Sequence, residues 1–541
     1  PPKTQVFRDN GHKLVEKKLN REELLAVVGQ YDGLVVRSGV KVTADIIATG
    51  GRLRLIGRAG AGVDNIDTVA ATRRGIVVMN TPGGNTSAAA ELTMSLLMTA
   101  ARQIPAACAS LKGGAWDRKT FAKGVELKGK TVGVIGLGMI GTEVARRCQA
   151  LDMTTLGFDP LVTDERAAAA GIKKVSLEAL WASADVLTVH TPLNDATRNL
   201  LAKATLAKCK RGVIIINCAR GGIVNEADLL EALGSGQVGA AGLDVFEREP
   251  PTGTSAALIA HPRVVCTPHL GASTEEAQKK VAREIAQQMS DAFAARGFVG
   301  VVNAGHLALA HRPGLQPYVR LAEQLGALQG QLWSGAVKGT SVHVDVEGPV
   351  FDGAGVGELL KAAVIKGLLP TLPGLDAGDG DVNLVNAALL ADEAALRVAV
   401  KAAPSPSGPY ANAVRLTLMG PAGTRTVTGS VIEGAPRVVQ VDHWQSFPSF
   451  SPEGHVLLFN NLDKPGTVGK VASVLADNNI NIASLAIARQ YPGSPALSVI
   501  LSDQRVPAEV KAKIEALDGI SGVLTASFDD GAAKPAAAPA V

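Results

Sequence analysis

The sequence predicts an α/β chain organised around a doubly wound parallel sheet, and three observations carry that prediction. Residues 131–135 (TVGVI) form a short, β-branched apolar run that suits a buried parallel strand. The run ends in Gly136-Leu137-Gly138-Met139-Ile140-Gly141, after which helical spacing takes over from 142 to 151. A second apolar run, 155–158, then delivers Asp159 at its tip. Finally, apolar runs at 185–189, 212–216, 239–245 and 263–266 alternate with helical stretches, so that six parallel strands fill a Rossmann-type domain over residues 83–268.

The order of strand, glycine turn and helix has a chemical consequence. Gly136 permits the tight turn, Gly138 lets the backbone approach a pyrophosphate, and Gly141 lets helix pack on strand. A carboxylate at Asp159 accepts hydrogen bonds from the adenosine ribose hydroxyls and repels a 2′-phosphate, which favours NAD over NADP.

Length and composition bound the rest. At 541 residues the chain exceeds one core and suggests three to four domains. A net charge of +4, without basic blocks interleaved with aromatics, argues against a nucleic-acid partner. No apolar run is long enough for a membrane helix, and the N-terminus carries no leader pattern, so no membrane partner is expected. Cys108, Cys148, Cys209, Cys218 and Cys266 lack C-x-x-C spacing, so neither disulfides nor a metal site is indicated. The composition reads as that of a reduced cytoplasmic protein.

Residues 1–82 show strand signals at 33–36 (GLVV), 53–57 (LRLIG) and 75–79 (GIVVM), with a helix over 42–48. These strands hand over to Arg37, to Arg58 and Gly60, and to Asn80, at the ends where open α/β sheets bind ligands. Two arginines at equivalent strand ends suit an anion. Residues 85–101 read as a buried helix that joins domains or pairs subunits, and 113–119 as a loop. A long amphipathic helix over 273–293 is expected to cross back and close the first domain, giving it 1–82 and 269–300. Residues 301–449 read as a separate α/β domain, and 450–528 as a β-α-β-β module of ferredoxin type with a helix over 467–477. The tail 529–541 is low-complexity and is expected to be disordered.

Removing hydride from a secondary alcohol needs a base for the hydroxyl proton, a cation for the carboxylate and a nicotinamide held over the carbon. Within the NAD domain the later strand ends offer His269 as base, Glu249 to fix its tautomer and raise its pKa, and Arg220 as a bidentate carboxylate fork.

The runs GRAGAGVDNID, GLGMIG, HTPL, NCARGGIVNE, GLDVFEREP and CTPHLGAST closely resemble the D-isomer-specific 2-hydroxyacid dehydrogenases. The resemblance implies that Arg220, Glu249 and His269 fall on catalytic positions. It puts Thr191, Ala219, Asp244 and Gly271 on cofactor positions beside Asp159 and the loop Gly136, Gly138, Met139, Ile140 and Gly141. Arg37, Arg58, Gly60, Asn80 and Arg118 are the implied substrate residues. It further implies a Rossmann domain inserted in a flavodoxin-like substrate domain, and a homodimer or homotetramer. The run HVLLFNNLDKPGTVGKVASVLADNNINIASLAIA looks like an ACT domain, and 301–449 like the intervening domain of the long-chain members. Those modules point to NAD-dependent oxidation of 3-phospho-D-glycerate to 3-phosphooxypyruvate, the first step of the phosphorylated route to L-serine. They also point to an L-serine effector near Asn461, Asp463 and Asn481, although a purely structural dimerisation module stands beside that reading. A plastid is an alternative location to the cytoplasm if the source is photosynthetic.

Family members open with another strand and helix before the position of residues 5–15, so the substrate domain is expected to lack its first strand. Ala61 stands where relatives often carry Thr, and Met139 where many carry Arg. Three other readings stand beside the leading one: a hydroxypyruvate or glyoxylate reductase, a truncated non-catalytic NAD-binding paralogue, and a dinucleotide-sensing corepressor.

Overall fold

The computed structural model describes residues 2–375, 382–444 and 448–528; the expected disordered tail, 529–541, lies outside the described residues. They form two compact units. Residues up to Arg58, 62–80 and from Ile285 onward make the first, and 59–61 with 81–284 make the second.

The first unit begins with a helix, Pro2–Asp9, and a segment without regular secondary structure over 12–20. Helix Arg21–Val27 starts at a capping box in which Asn20 and Glu23 each satisfy the other's backbone N–H. Strands β1 (Gly33–Val36), β2 (Leu55–Arg58) and β3 (Val77–Asn80) form a parallel sheet in the order β1-β2-β3. Ile46, Ile47, Ile56, Ile76 and Val78 are its fully buried core. The chain re-enters this unit inside helix Glu275–Phe293. A Cβ at Gly57 would stand 2.2 Å from the Met289 sulfur and 2.8 Å from Ile285, so only glycine lets the second half of that helix lie on β2. Past the helix the chain stitches the outer edge of β3: Asn80 N–H donates to Gly300 O (2.8 Å), and Asn303 accepts from Val78 N–H (2.8 Å).

The same unit continues into a mixed five-stranded sheet. It contains β11 (Ser341–Glu347), β12 (Arg397–Ala403), β13 (Ala413–Gly420), β14 (Gly423–Ile432) and β15 (Ala435–Val441), in the order β12-β11-β13-β14-β15, with helices Gln316–Leu332 and Val356–Leu368 packed together. An antiparallel sheet, β17-β18-β16-β19, follows, built from β16 (His455–Leu462), β17 (Ile482–Arg489), β18 (Pro495–Ser502) and β19 (Ile520–Ser527). The expected β-α-β-β module is therefore completed by helix Ala508–Glu515 and β19, the second half of a ferredoxin-like unit. The two sheets share one apolar core, in which Leu325, Leu416 and Phe450 cluster with Val456 and Leu458.

The second unit is a seven-stranded parallel sheet rather than one of six. Its strands are β4 (Thr131–Ile135), β5 (Thr154–Phe158), β6 (Lys173–Lys174), β7 (Val186–Val189), β8 (Val213–Asn217), β9 (Val238–Leu243) and β10 (Val264–Cys266), ordered β10-β9-β8-β7-β4-β5-β6. The extra strand, β6, is two lysines long and too short to show as an apolar run. The order in which strands are added reverses between β4 and β7, and ligands bind beyond the carboxyl ends of the strands at such a switch point. Helix Thr86–Arg102 packs against β8, β9 and β10 with Ala89, Ala90, Leu96, Leu97 and Ala100 buried. The buried side of this helix packs on its own sheet. The residues to 284, expected in the first domain from 269 on, cluster with this second unit.

Candidate active site

The glycine loop follows β4 as a tight turn. Gly136 has φ +92°, and a Cβ on it would fall 2.6 Å from His190 O; one on Gly141 would fall 1.9 Å from Gly136 O. The next helix, Met139–Gln149, starts three residues earlier than its apolar spacing suggested. Its N-cap is Gly138, which has no side chain to cap the first turn, and nothing lies within 4 Å of a Cβ built there. Asp159, at the end of β5, accepts the Leu137 N–H (2.8 Å) and the Leu161 N–H (2.8 Å), tying the second strand to the glycine loop. Thr191 Oγ1, beyond β7, is buried and has no hydrogen-bond partner. An uncapped helix start, open space over Gly138, a carboxylate at the neighbouring strand tip and an orphaned hydroxyl fit a dinucleotide.

His190 precedes that hydroxyl. Its Nε2 lies 2.9 Å from Thr188 Oγ1, its Nδ1 is buried without a partner, and burial pushes its pKa down to about 4.

At the end of β8, buried Asn217 folds the next turn. Its side chain accepts the Ala219 N–H (3.0 Å) and donates to Arg220 O (2.9 Å). Arg220 Nη1 donates to Ala219 O (2.7 Å), which holds the guanidinium against its own turn. Gly221 then presses on the loop after β9: a Cβ there would stand 1.8 Å from Phe246 O.

That loop carries Glu249, whose Oε1 accepts the Phe246 N–H (3.2 Å) and whose Oε2 lies 2.8 Å from His269 Nδ1. Because a carboxylate only accepts, Nδ1 carries the proton and Nε2 is left as the basic nitrogen. The Glu249 hydrogen bond raises the His269 pKa above the ordinary imidazole value against the opposing effect of burial. Burial pushes the Glu249 carboxyl upward, but His269, the Phe246 N–H and Arg220 together hold it below the ordinary carboxylate value. Both side chains remain partly exposed, at 47% and 38%, so a substrate can reach them.

Asp244, fully buried at the end of β9, holds the His269 loop. Its carboxylate accepts from Thr267 Oγ1 (2.6 Å), Leu270 N–H (2.6 Å) and Gly271 N–H (2.8 Å), and its backbone O accepts the His269 N–H (2.9 Å). His269 therefore sits at φ +56°, a left-handed conformation that a non-glycine residue keeps only when its surroundings demand it. The sequence assigns no role to Asn217 or Thr267, because a small polar residue at a strand end gives no sign of turning inward.

Of the expected substrate residues, the sheet register brings three to one end. Val36 pairs with Arg58 and Arg58 with Asn80, so Arg37, Arg58 and Asn80 crown neighbouring strands of the first unit. Gly60 and Arg118 belong to the second unit, where Gly60 O accepts the Thr81 N–H (3.1 Å) and Arg118 is exposed in its loop. The expected effector residues do not converge within one chain. Asn461 is buried and bonded to Ser498 (2.8 Å), and Asp463 accepts from Arg489 (2.6 Å) and the Gly493 N–H (3.1 Å). Asn481 donates to Asp503 (2.6 Å) at the opposite end of the sheet, about 25 Å away at ~3.3 Å per strand residue. Because β16 and β17 run parallel on either side of β18, the end of one and the start of the other cannot meet.

Among the described residues no helix is long and apolar enough to cross a membrane, and no cluster of His, Cys, Asp and Glu suits a metal ion.

Family models match three stretches of the chain. The family model described as D-isomer specific 2-hydroxyacid dehydrogenase, NAD binding domain, matches residues 94–271. The D-3-phosphoglycerate dehydrogenase intervening domain matches 314–442, and the ACT domain 455–519. D-3-phosphoglycerate dehydrogenase of Rattus norvegicus is 47% identical over 438 residues, 81% of this chain and 80% of that protein. The enzyme of the same name from Methanocaldococcus jannaschii is 41% identical over 523 residues, 96% of each. Among solved structures, a glyoxylate reductase from Paecilomyes thermophila superposes with a TM-score of 0.52 at 32% identity, covering 56% of this chain and 94% of that one.

Proposed function

The chain belongs to the D-3-phosphoglycerate dehydrogenase family of NAD-dependent oxidoreductases, and from that membership we propose how its own residues oxidise 3-phospho-D-glycerate to 3-phosphooxypyruvate. His269 Nε2 takes the proton of the C2 hydroxyl, and Glu249 keeps the imidazole in the tautomer that can do so and stabilises the imidazolium that results. Arg220, beside both, pairs with the substrate carboxylate. When bound, NAD supplies the acceptor for the C2 hydride. Gly136, Gly138, Met139, Ile140, Gly141 and Asp159, with Thr191, Ala219, Asp244 and Gly271, would hold it.

The observation that carries this reading is the 2.8 Å His269–Glu249 pair, set at the carboxyl ends of a dinucleotide-type sheet. It is tested by following NADH formation from 3-phospho-D-glycerate with the chain and with His269→Ala. Turnover lost by about 10²–10⁴-fold in the variant is expected, whereas unchanged turnover would sink the assignment.

The grouping of Arg37, Arg58 and Asn80 at one sheet end supports recognition of the phosphorylated substrate. Arg37→Ala should impair 3-phospho-D-glycerate far more than hydroxypyruvate, and equal losses would refute it. Self-association is supported by helix Ile104–Lys112, which has no buried residue and shows Ile104 at 52% and Leu111 at 57% exposure. Light scattering reads the outcome: Leu111→Glu should dissociate the assembly, and an unchanged mass would exclude this face. An L-serine effector rests on the ACT match alone and is tested by adding serine to the assay.

A further inference from the structure

Glu226, the first residue of helix Glu226–Ser235, is a carboxylate with only 5% of its surface exposed, in a part of the molecule the reaction does not touch. Burying a charge is costly unless its oxygens are satisfied, so what satisfies this one is informative. Its Oε1 accepts the Glu247 N–H at 2.6 Å, and its Oε2 takes a short hydrogen bond from the buried hydroxyl of Ser255, which lies in helix Thr254–Ile259. The clasp is reciprocal, because Glu247 Oε1 accepts the Glu226 N–H at 3.0 Å. The start of one helix, the start of another and the loop between them are thereby locked to a single carboxylate.

Next to the peptide whose N–H holds Glu249 lies the locked one. Phe246 and Glu247 share it. The Phe246 N–H anchors Glu249 Oε1, and Gly221 packs against Phe246 O next to Arg220. We propose that Glu226 is a positioning residue: by holding the Glu247 N–H it sets the 246–249 loop, and through the Phe246 N–H it aims Glu249 at His269. The proposal rests on the reading of His269 and Glu249 as the acid–base pair. It adds a group that touches neither substrate nor cofactor, and it makes Ser255 an accessory of the same clasp.

Three variants of the full chain test it. Glu226→Ala removes both acceptors; Glu226→Gln keeps an acceptor for the Glu247 N–H and can donate to Ser255 Oγ; Glu226→Asp is one methylene too short to serve both partners. Two readouts are taken: the His269 ring titration by NMR, assigned by its loss in His269→Asn, and kcat with its pH profile beside KM for NAD.

In Glu226→Ala the His269 midpoint should fall by about one pH unit as Glu249 drifts. Its kcat should drop about 10- to 100-fold while KM for NAD stays within about twofold. Glu226→Gln should restore most of both. A folded Glu226→Ala chain with unmoved midpoint and kcat overturns the proposal, as does Glu226→Gln behaving like Glu226→Ala. If Glu226→Ala does not fold, Glu226→Asp decides: a lowered midpoint supports the clasp and an unmoved one refutes it. If the unmodified chain shows no turnover, the functional reading fails, yet the NMR midpoints still decide the role of Glu226.

Discussion

His269 Nδ1 and Glu249 Oε2 lie 2.8 Å apart, although they come from different loops after β9 and β10. Each is held by a second buried carboxylate. Asp244 shapes the His269 loop, and Glu226 grips the loop that presents Glu249. The pair is therefore set by groups behind it, while the His269 side chain stays half-exposed.

The first prediction concerns the acid limb of the pH profile. His269 must be neutral to accept the hydroxyl proton, and Glu249 raises its pKa above the ordinary value, so kcat/KM for oxidation should rise through a pH above 6.5. Glu249→Gln should move that limb down by about one unit or more and lower kcat. A limb that stays in place in the variant would assign it to another group.

Glycine substitutions should separate fold from cofactor. Gly141→Ala drives a methyl to 1.9 Å from Gly136 O, so the second unit should lose about 3 kcal/mol or fail to fold. Gly138→Ala meets nothing within 4 Å and keeps an ordinary φ of −70°, so thermal unfolding should be nearly unchanged while NAD affinity falls. Isothermal titration beside a melting curve reads both.

Asp159→Asn keeps an oxygen for one loop N–H but removes the charge that repels a 2′-phosphate. The ratio of kcat/KM for NADP over NAD should rise by about tenfold. An unaltered ratio would mean that selectivity lies elsewhere.

Asp244→Ala leaves the Thr267 hydroxyl and the N–H groups of Leu270 and Gly271 without their acceptor. Orphaned buried donors cost about 1–3 kcal/mol each, so denaturant unfolding should show a loss of about 3 kcal/mol or more, together with loss of turnover. Thr267→Val, which removes one of the three bonds, should lose about 1 kcal/mol.

His190 makes stability depend on pH. Its folded pKa, about 4, lies below the unfolded 6.5, so the unfolded chain takes up the proton first on acidification. This contribution is fully present above pH 6.5 and is lost as pH falls toward 4, amounting to about 2 kcal/mol by pH 5. His190→Asn should lack that part of the pH dependence in denaturant titrations; an identical slope would contradict it.

The local elements were legible in the sequence because their signals are local. Thr131–Ile135 and Thr467–Asp477 come out with the bounds their apolar periods suggested, and the glycine loop declares its turn by residue type alone. The candidate catalytic residues were legible for a related reason: Arg220, Glu249 and His269 each follow a recognisable strand, and strand ends of a parallel sheet converge. Only the tertiary structure showed that Glu226 and Asp244 face inward, bonded to the loops that carry Glu249 and His269, and that the chain after Gly300 closes the edge of β3. It also set Asn481 and Asp463, which the ACT resemblance had grouped, at opposite ends of one sheet. The physical reason is the same in each case. Periodicity along the chain reports which face of an element is apolar, whereas the partner of a buried carboxylate or a sheet edge is chosen by residues distant in sequence, which leave no local trace.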